Sequence, residues 1–283
     1  MRIVSLACSN TEIVWALGRA DWLVGVDDHS DFPPEVVDPL PKVGPDLEIE
    51  IPAVEALEPD LVLATLTVPG HERVVEGLEA AGLPFVAPEP ASLDDVYRDI
   101  RRIGELLDAS SRAEVVVGKM RRELDDDGSR APAEEPGPEG EGAAERPTIL
   151  VQWWPKPTIA PGRRSWATEV IRAAGGRNPL GEEPVKSRPV SDDEVRELAP
   201  DHIVLSWCGV DPAKYRPDVI LEKEAWKDIP AVRAGRVHCV PEAFLGRPGP
   251  RLVEGVRALR AIVDRSRNGE RRPQPSRSSS TLR

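Results

Sequence analysis

The sequence predicts an α/β protein of two related lobes joined by one long helix, on three observations. Short apolar runs alternate with helix-period segments, the pattern of a parallel sheet with crossover helices. The second half echoes the first: "LEPDLVLA" (57–64) returns as "LAPDHIVLS" (198–206), each a Pro-Asp entry into an apolar run. Between the halves, residues 92–124 hold no proline and carry apolar side chains at helical spacing. At 283 residues the chain can hold one large or two modest domains, each with its own core.

In chain order, "RIVSLA" (2–7) reads as a buried strand. Ser9-Asn10-Thr11-Glu12 then has capping-box spacing, which places Ser9 at the N-cap of a helix that ends at Gly18. "WLVGV" (22–26), "PDLVLAT" (59–65) and "PFVA" (84–87) are the next strands, and "HERVVEGLEAAG" (71–82) lies among them as a helix. Ser92 opens the long helix. Val96, Ile100, Ile103, Leu107, Val116, Met120 and Leu124 give it one apolar stripe, and about 30 residues at 1.5 Å each would span roughly 45 Å. Residues 125–147 are rich in Pro, Gly, Ala and Glu and cannot bury enough surface to offset their ordering entropy, so they are expected to be a disordered acidic loop. "TILVQWW" (148–154) resumes the α/β pattern, Ser191-Asp192-Asp193-Glu194 is a second capping box, and "RVHCVPE" (236–242) mirrors the first-half "PFVAPE". The basic, Ser/Pro-rich 265–283 is expected to be a disordered tail. The organisation is therefore lobe 1–91, interlobe helix 92–124, acidic loop 125–147, lobe 148–264 and tail 265–283.

Composition narrows the function. A net charge of −12 would repel nucleic-acid phosphates, and 40% hydrophobic residues without a membrane-length apolar run leave no insertion into a bilayer. The three cysteines, Cys8, Cys208 and Cys239, are scattered and signal neither a disulfide framework nor a zinc ribbon. No phosphate-cradling loop, nucleophile elbow or histidine-rich metal cluster is present, so catalysis is not expected. The opening residues read as a strand, not a secretory leader, and the chain as written is expected to be cytoplasmic; a misassigned start or a processed form would make it extracytoplasmic.

Ligands of parallel α/β lobes sit beyond the carboxyl ends of strands. Those ends deliver Cys8 and Ser9, "DDHSDFPPE" (27–35), Thr65 to Gly70, Trp153 with Trp154, Trp207 with Cys208, and Glu242 with Phe244 and "RPGPRLVEG" (247–255). Tryptophans at three such positions are unlike core filling, and an indole offers a broad face to a planar ligand.

Together, "RIVSLACSNTEIVWALGRADWLVGVDDHSDFPPEV", "VEALEPDLVLA", "APGRRSW", "AAGGRNPL", "IPAVRAGRVHCV" and "RPGPRLVEG" resemble the cobalamin and ferric-siderophore substrate-binding proteins of ABC importers, and most of all their cobalamin-binding branch. The resemblance runs over about residues 2–263 apart from the acidic insertion. It implies two Rossmann-like lobes joined by a single long helix, with the ligand in the cleft between them. It implies noncovalent binding of a cobalamin-type corrinoid, without cofactor or bound metal of the protein's own, by a monomer that either serves an ABC permease or binds its corrinoid inside the cell. By similarity the cleft would contain Cys8, Ser30, Asp31, Phe32, Trp153, Trp154, Trp166, Trp207, Glu242 and Arg251. Members carry a docking glutamate on each lobe: Glu72 matches the first, and the second falls at Glu222 or Glu224. A haem or ferric-siderophore binder of the same fold is the near alternative, and a cytoplasmic corrinoid-handling enzyme or chaperone the far one.

Three readings have plainer counterparts. His29 is either an axial ligand to a corrin cobalt or a solvated loop histidine. Cys8 and Cys208 either hold a soft metal between the lobes or are small buried hydrophobes. Asp27, Asp28 and Asp31 either bind a cation or form an acidic turn. Trp15, Trp22 and Trp226 read as packing residues.

Overall fold

The computed structural model describes residues 1–125 and 146–267. The first lobe runs β1 (Ile3–Ser5), α1 (Cys8–Ala16), β2 (Leu23–Val26), α2 (Pro34–Val37), α3 (Ile51–Ala56), β3 (Leu61–Leu63), α4 (His71–Ala80) and β4 (Phe85–Val86). Its four strands form one parallel sheet in the order β2-β1-β3-β4. Two helices follow, α5 (Leu93–Leu106) and α6 (Ser110–Asp125). The second lobe runs β5 (Ile149–Gln152), β6 (Trp154–Pro155), β7 (Thr158–Pro161), α7 (Trp166–Ala173), β8 (Ser187–Val190), α8 (Asp192–Leu198), β9 (His202–Leu205), α9 (Pro217–Leu221), α10 (Pro230–Arg233), β10 (Val237–Cys239), α11 (Glu242–Leu245) and α12 (Leu252–Arg267). There β10-β9-β5 make a parallel sheet, and β6-β7-β8 an antiparallel one that the sequence reading missed.

The α/β class and the strands hold. Both copies of the Pro-Asp echo open central strands: β3 lies between β1 and β4, and β9 between β10 and β5. β1, β3, β5 and β9 are buried along their whole length, as strands covered on both faces must be.

The single rod expected over 92–124 is instead a helical hairpin. Asp108 takes the left-handed conformation at φ 48°, which ends α5. Arg101 pairs with Glu114 at 2.7 Å, Arg121 with Asp94 at 3.4 Å, and Arg121 lies 5.1 Å from the Tyr97 ring centre, so α6 folds back along α5. Gly104 allows the tight return, since a Cβ there would fall 2.6 Å from that of Ala113. Arg19 of the first lobe takes the freed carbonyls, its Nε donating to Leu107 O at 2.9 Å and its Nη2 to Asp108 O. The apolar stripe hid the break, because Leu107 is as buried at the turn as Ile103 is within the helix.

Capping also differs from expectation in one place. Ser92 accepts from Asp95 N at 3.1 Å and Ser191 from Glu194 N at 3.2 Å, as read. α1, however, begins at Cys8 with Ala7 as N-cap and no side-chain cap. Ser9 lies inside the helix, and the Glu12 carboxylate turns away to the other lobe, where two arginines meet it.

One apolar cluster unites α1, α5, α6, α7 and α12 and includes Ile3, Leu63, Ile149 and Val151 from both parallel sheets. The lobes thus share a core through the hairpin. α6 is tied to α12 by the Arg257–Glu123 pair and by Arg260 Nη2 donating to Glu123 O at 2.8 Å. The stretches expected to be disordered lie outside the described residues, apart from their edges: α6 continues to Asp125, residues 146 and 147 lead into β5, and α12 continues to Arg267.

Candidate functional site

Side chains from both lobes converge where β1, β2, β9 and β10 release the chain. Arg247, which follows α11, is the hub. Its Nη1 donates to Glu12 Oε1 at 3.0 Å and to Asp31 Oδ1 at 2.5 Å, its Nη2 to Asp31 Oδ2 at 3.2 Å, and its Nε to Glu242 Oε2 at 3.0 Å. Arg251 Nη1 reaches the same Glu12 oxygen at 3.2 Å. Glu12 and Asp31 belong to the first lobe, and Glu242, Arg247 and Arg251 to the second, so this cluster spans the cleft. Gly255 lets α12 press on α11 and fix the Arg247 loop, since a Cβ there would lie 2.1 Å from Phe244 O.

Burial sets the electrostatics. Glu12 is 2% exposed, and its Oε2 has no hydrogen-bond partner. Desolvation pushes its carboxyl up to about 7 against the pull of the two arginines. Burial likewise raises Glu242, while Arg247 opposes it. At Asp31 burial is outweighed by the Arg247 guanidinium, which holds the carboxyl below its usual range. Desolvation alone would lower Arg247, but Asp31, Cys8, Glu242 and Glu12 hold it firmly charged.

An aromatic and cationic stack crosses the same boundary. The Arg251 guanidinium lies 4.1 Å from the Phe32 ring centre and 4.8 Å from that of Phe244. Trp15 then meets Phe32 edge-on at 5.2 Å and remains 42% exposed. On the opposite flank Lys186 Nζ, from the second lobe, donates to Leu66 O at 3.0 Å and pairs with Glu89 at 2.6 Å, both in the first.

The expected site residues divide into two groups. Asp31, Phe32, Glu242 and Arg251 meet in the interlobe cluster. Cys8 and Cys208 lie within electrostatic reach of both Glu242 and Arg247, which brings one cysteine from each lobe to the same locality. Ser30, by contrast, is committed to the first lobe: its Oγ donates to Asp27 Oδ1 at 2.5 Å and lies 2.8 Å from Thr11 Oγ1. Asp27 is fully buried, held by Ser30 and His29 N, and raised by burial, so an acidic turn describes it.

The tryptophans do not form the shared wall expected of them. Trp207 is buried in a separate second-lobe cluster, where its Nε1 donates to Gln152 Oε1 at 2.9 Å and its ring packs on Tyr215 at 5.4 Å. Trp166 is buried with its Nε1 on Leu245 O at 2.8 Å, which holds α11 from behind. Trp153 packs on Trp166 at 6.2 Å and is half-buried, with a partnerless Nε1. Trp154 is 44% exposed on the antiparallel sheet. Trp153 and Trp207 follow β5 and β9 and Trp154 lies in β6, whereas Trp166 opens α7. A strand-end position does not fix whether a side chain faces core or cleft, because successive side chains alternate.

Sequence reasoning missed Glu12 and Lys186, and it placed Phe244 and the segment that holds Arg247 at a strand end without singling out Arg247. Arg247 sits four residues before Arg251 in the same quoted motif, and that paired spacing was the available signal. His29 is exposed. Among the described residues no group of three or more His, Cys, Asp or Glu could hold a metal ion, and no helix is long and apolar enough to cross a membrane. Glu72 and Glu222 are exposed, and Glu224 is exposed but paired with Lys227 at 2.5 Å.

Comparison with known proteins gives a consistent picture. The sequence profile of the family described as "Periplasmic binding protein" matches residues 3–243. An uncharacterized ABC transporter substrate-binding lipoprotein, YvrC of Bacillus subtilis, is 31% identical over 91% of this chain and 78% of its own. A vitamin B12-binding protein of Vibrio parahaemolyticus is 26% identical over 90% of this chain and 86% of its own. Among solved structures, the periplasmic heme-binding protein RhuT of Roseiflexus superposes with a TM-score of 0.75 at 26% identity, over 93% of this chain and 97% of that one.

Proposed function

Because the chain belongs to the periplasmic binding protein family, a family of non-catalytic binders, we propose that it is the substrate-binding component of an ABC importer and that its ligand is a cobalamin-type corrinoid. The coarser class, an importer's binding protein for vitamin B12, haem or a siderophore, follows from the relatives. The corrinoid rests on the chemistry of the cleft.

One observation carries it: the interlobe arginines are already engaged from within. Arg247 is shared among three carboxylates, and Arg251 is engaged by Glu12 and sandwiched between two phenyl rings. A ligand recognised through its own carboxylates, as haem with its two propionates would be, must displace these internal counter-ions and leave Glu12 and Glu242 buried and unpaired. A corrin fringed with neutral amides asks for no such exchange. It can take hydrogen bonds from the cluster's rim and pack its edge on Phe32, Phe244 and Trp153.

On this reading the ligand-facing residues are Cys8, Asp31, Phe32, Trp153, Trp154, Glu242 and Arg251, with Ser30, Trp166 and Trp207 supporting them. Glu72 and Glu222 are the permease-docking carboxylates, since Glu224 already has a lysine partner. The cytoplasmic expectation finds no support among the relatives, which are named as a lipoprotein and as a periplasmic protein. The extracytoplasmic alternative is adopted here.

Parallel titrations of the purified chain with cobinamide, cyanocobalamin, hemin and a ferric siderophore test the reading. Saturable corrinoid binding with a perturbed corrin spectrum is expected. Silence with both corrinoids at high micromolar concentration, together with tight hemin binding, would transfer the site to haem.

A further inference from the structure

A second polar locus lies at the other end of the second-lobe sheet. β5, β9 and β10 are parallel and in register, so the residues that precede them (Thr148, Asp201 and Arg236) meet along one edge. Arg177 joins that edge through a backbone bridge with Thr148. Together with Arg146 and Ser266 these residues line a cavity of about 360 Å³. The site ligand of the cleft would lie beyond the carboxyl ends of the same strands, so the two places are separated by the sheet's length.

The charge at this edge is unbalanced. Among the described residues that line it are three arginines and one aspartate, in a chain whose net charge is −12. Asp201 is largely committed: its Oδ2 accepts from Thr148 N and Thr148 Oγ1, both at 2.9 Å, and its Oδ1 lies 3.8 Å from Arg236 Nη2. Arg236 Nε is buried and has no acceptor. Among the described residues neither Arg146 nor Arg177 forms an ion pair. The carboxyl ends of α8 and α12 come to this edge and favour cations, but among the described residues none of the three guanidiniums donates to a helix carbonyl, whereas Arg260 does so for α7 at Ala173 O. A buried guanidinium N–H without an acceptor is costly, and a guanidinium fork matches the oxygens of a phosphate.

We propose that this cavity is an anion site separate from the cleft, which takes a small oxyanion of the phosphate class between Arg146, Arg177 and Arg236. The full chain tests it without any tetrapyrrole present. Calorimetric titration with inorganic phosphate, against chloride at equal ionic strength, gives saturable binding to one site and a raised melting temperature. Arg177→Gln lowers the phosphate affinity roughly tenfold and the Arg177→Gln, Arg236→Gln pair roughly a hundredfold, one decade for each charge-assisted bond removed. Arg177 is exposed, so its single variant keeps the test decisive even should the pair not fold.

Cosedimentation with phosphatidic-acid vesicles, against phosphatidylcholine, distinguishes the source of the phosphate. Retention that the variants lose assigns a lipid headgroup, and calorimetric binding without retention assigns a soluble anion. Heats equal to the chloride reference, or phosphate affinity unchanged in Arg177→Gln, overturn the proposal. Cobinamide titration of the same variants stays at the wild-type value, so failure of the cleft reading and failure of this one are told apart.

Discussion

Glu12 carries the most information of any single residue. It is an acid buried to 2% exposure on the first helix, yet its partners lie 235 and 239 residues further along the chain. Its raised pKa has a definite consequence for stability. The folded form holds its proton up to about pH 7, whereas the unfolded form releases it near the ordinary glutamate value of 4.5. The native state therefore binds more protons between these limits, and stability falls as pH rises through that window. The effect is on the order of 3 kcal/mol. Asp31 acts in the opposite sense and lower down: its lowered pKa gives stability that is present above the unfolded value and lost as pH falls through the folded one. Chemical denaturation from pH 4 to 8 is expected to show the Glu12 slope, and Glu12→Gln to flatten it. Arg247→Ala is expected to cost about 3–5 kcal/mol near neutral pH, because it strands buried carboxylates, and the loss should shrink in the Glu12→Gln background. Glu12 was misread from sequence because Ser9 stands three residues before it, a spacing that local geometry rewards and that this fold overrules with long-range charge.

At the scale of elements, local pattern was a good guide wherever burial is simple. β1, β3, β5 and β9 are wholly buried runs and were legible as such, and the Ser92 and Ser191 caps formed where the sequence placed them. The hairpin of α5 and α6 was not legible. An apolar stripe with period 3.6 continues through Leu107 whether the chain runs on or folds back, and the deciding contacts come from Arg19 and Ala113 in space. β6, β7 and β8 escaped for a related reason: two- and four-residue strands containing prolines carry no periodic signal. Gly104→Ala separates the two arrangements. Helix propensity favours alanine by about 1 kcal/mol, which would stabilise a continuous rod. In the hairpin the new methyl would fall 2.6 Å from that of Ala113, and overpacking costs roughly 1–3 kcal/mol. A lowered melting temperature is expected, and a raised one would contradict the hairpin.

On the scale of the whole molecule, the cleft is strapped on both flanks, but unequally. Lys186 and Glu89 keep about a third and half of their side chains exposed, and such pairs contribute little. Arg247 is 11% exposed and meets a nearly inaccessible acid. The Lys186 flank is thus the weaker of the two. The two-lobed outline could be read from the repeated Pro-Asp strands, but the unequal straps could not, since each joins residues with no sequence relation.

The apolar cluster that threads α1, α5, α6, α7 and α12 has one more implication. Two lobes that share their interior cannot melt in turn, because losing either would expose the flank of its neighbour. Differential scanning calorimetry is therefore expected to record a single endotherm with matching calorimetric and van't Hoff enthalpies. Such a body resembles a stiff clasp more than a pair of jaws. A transporter meeting it would have to sense whether it is loaded through small local displacements, with no wide swing of the lobes to announce the cargo.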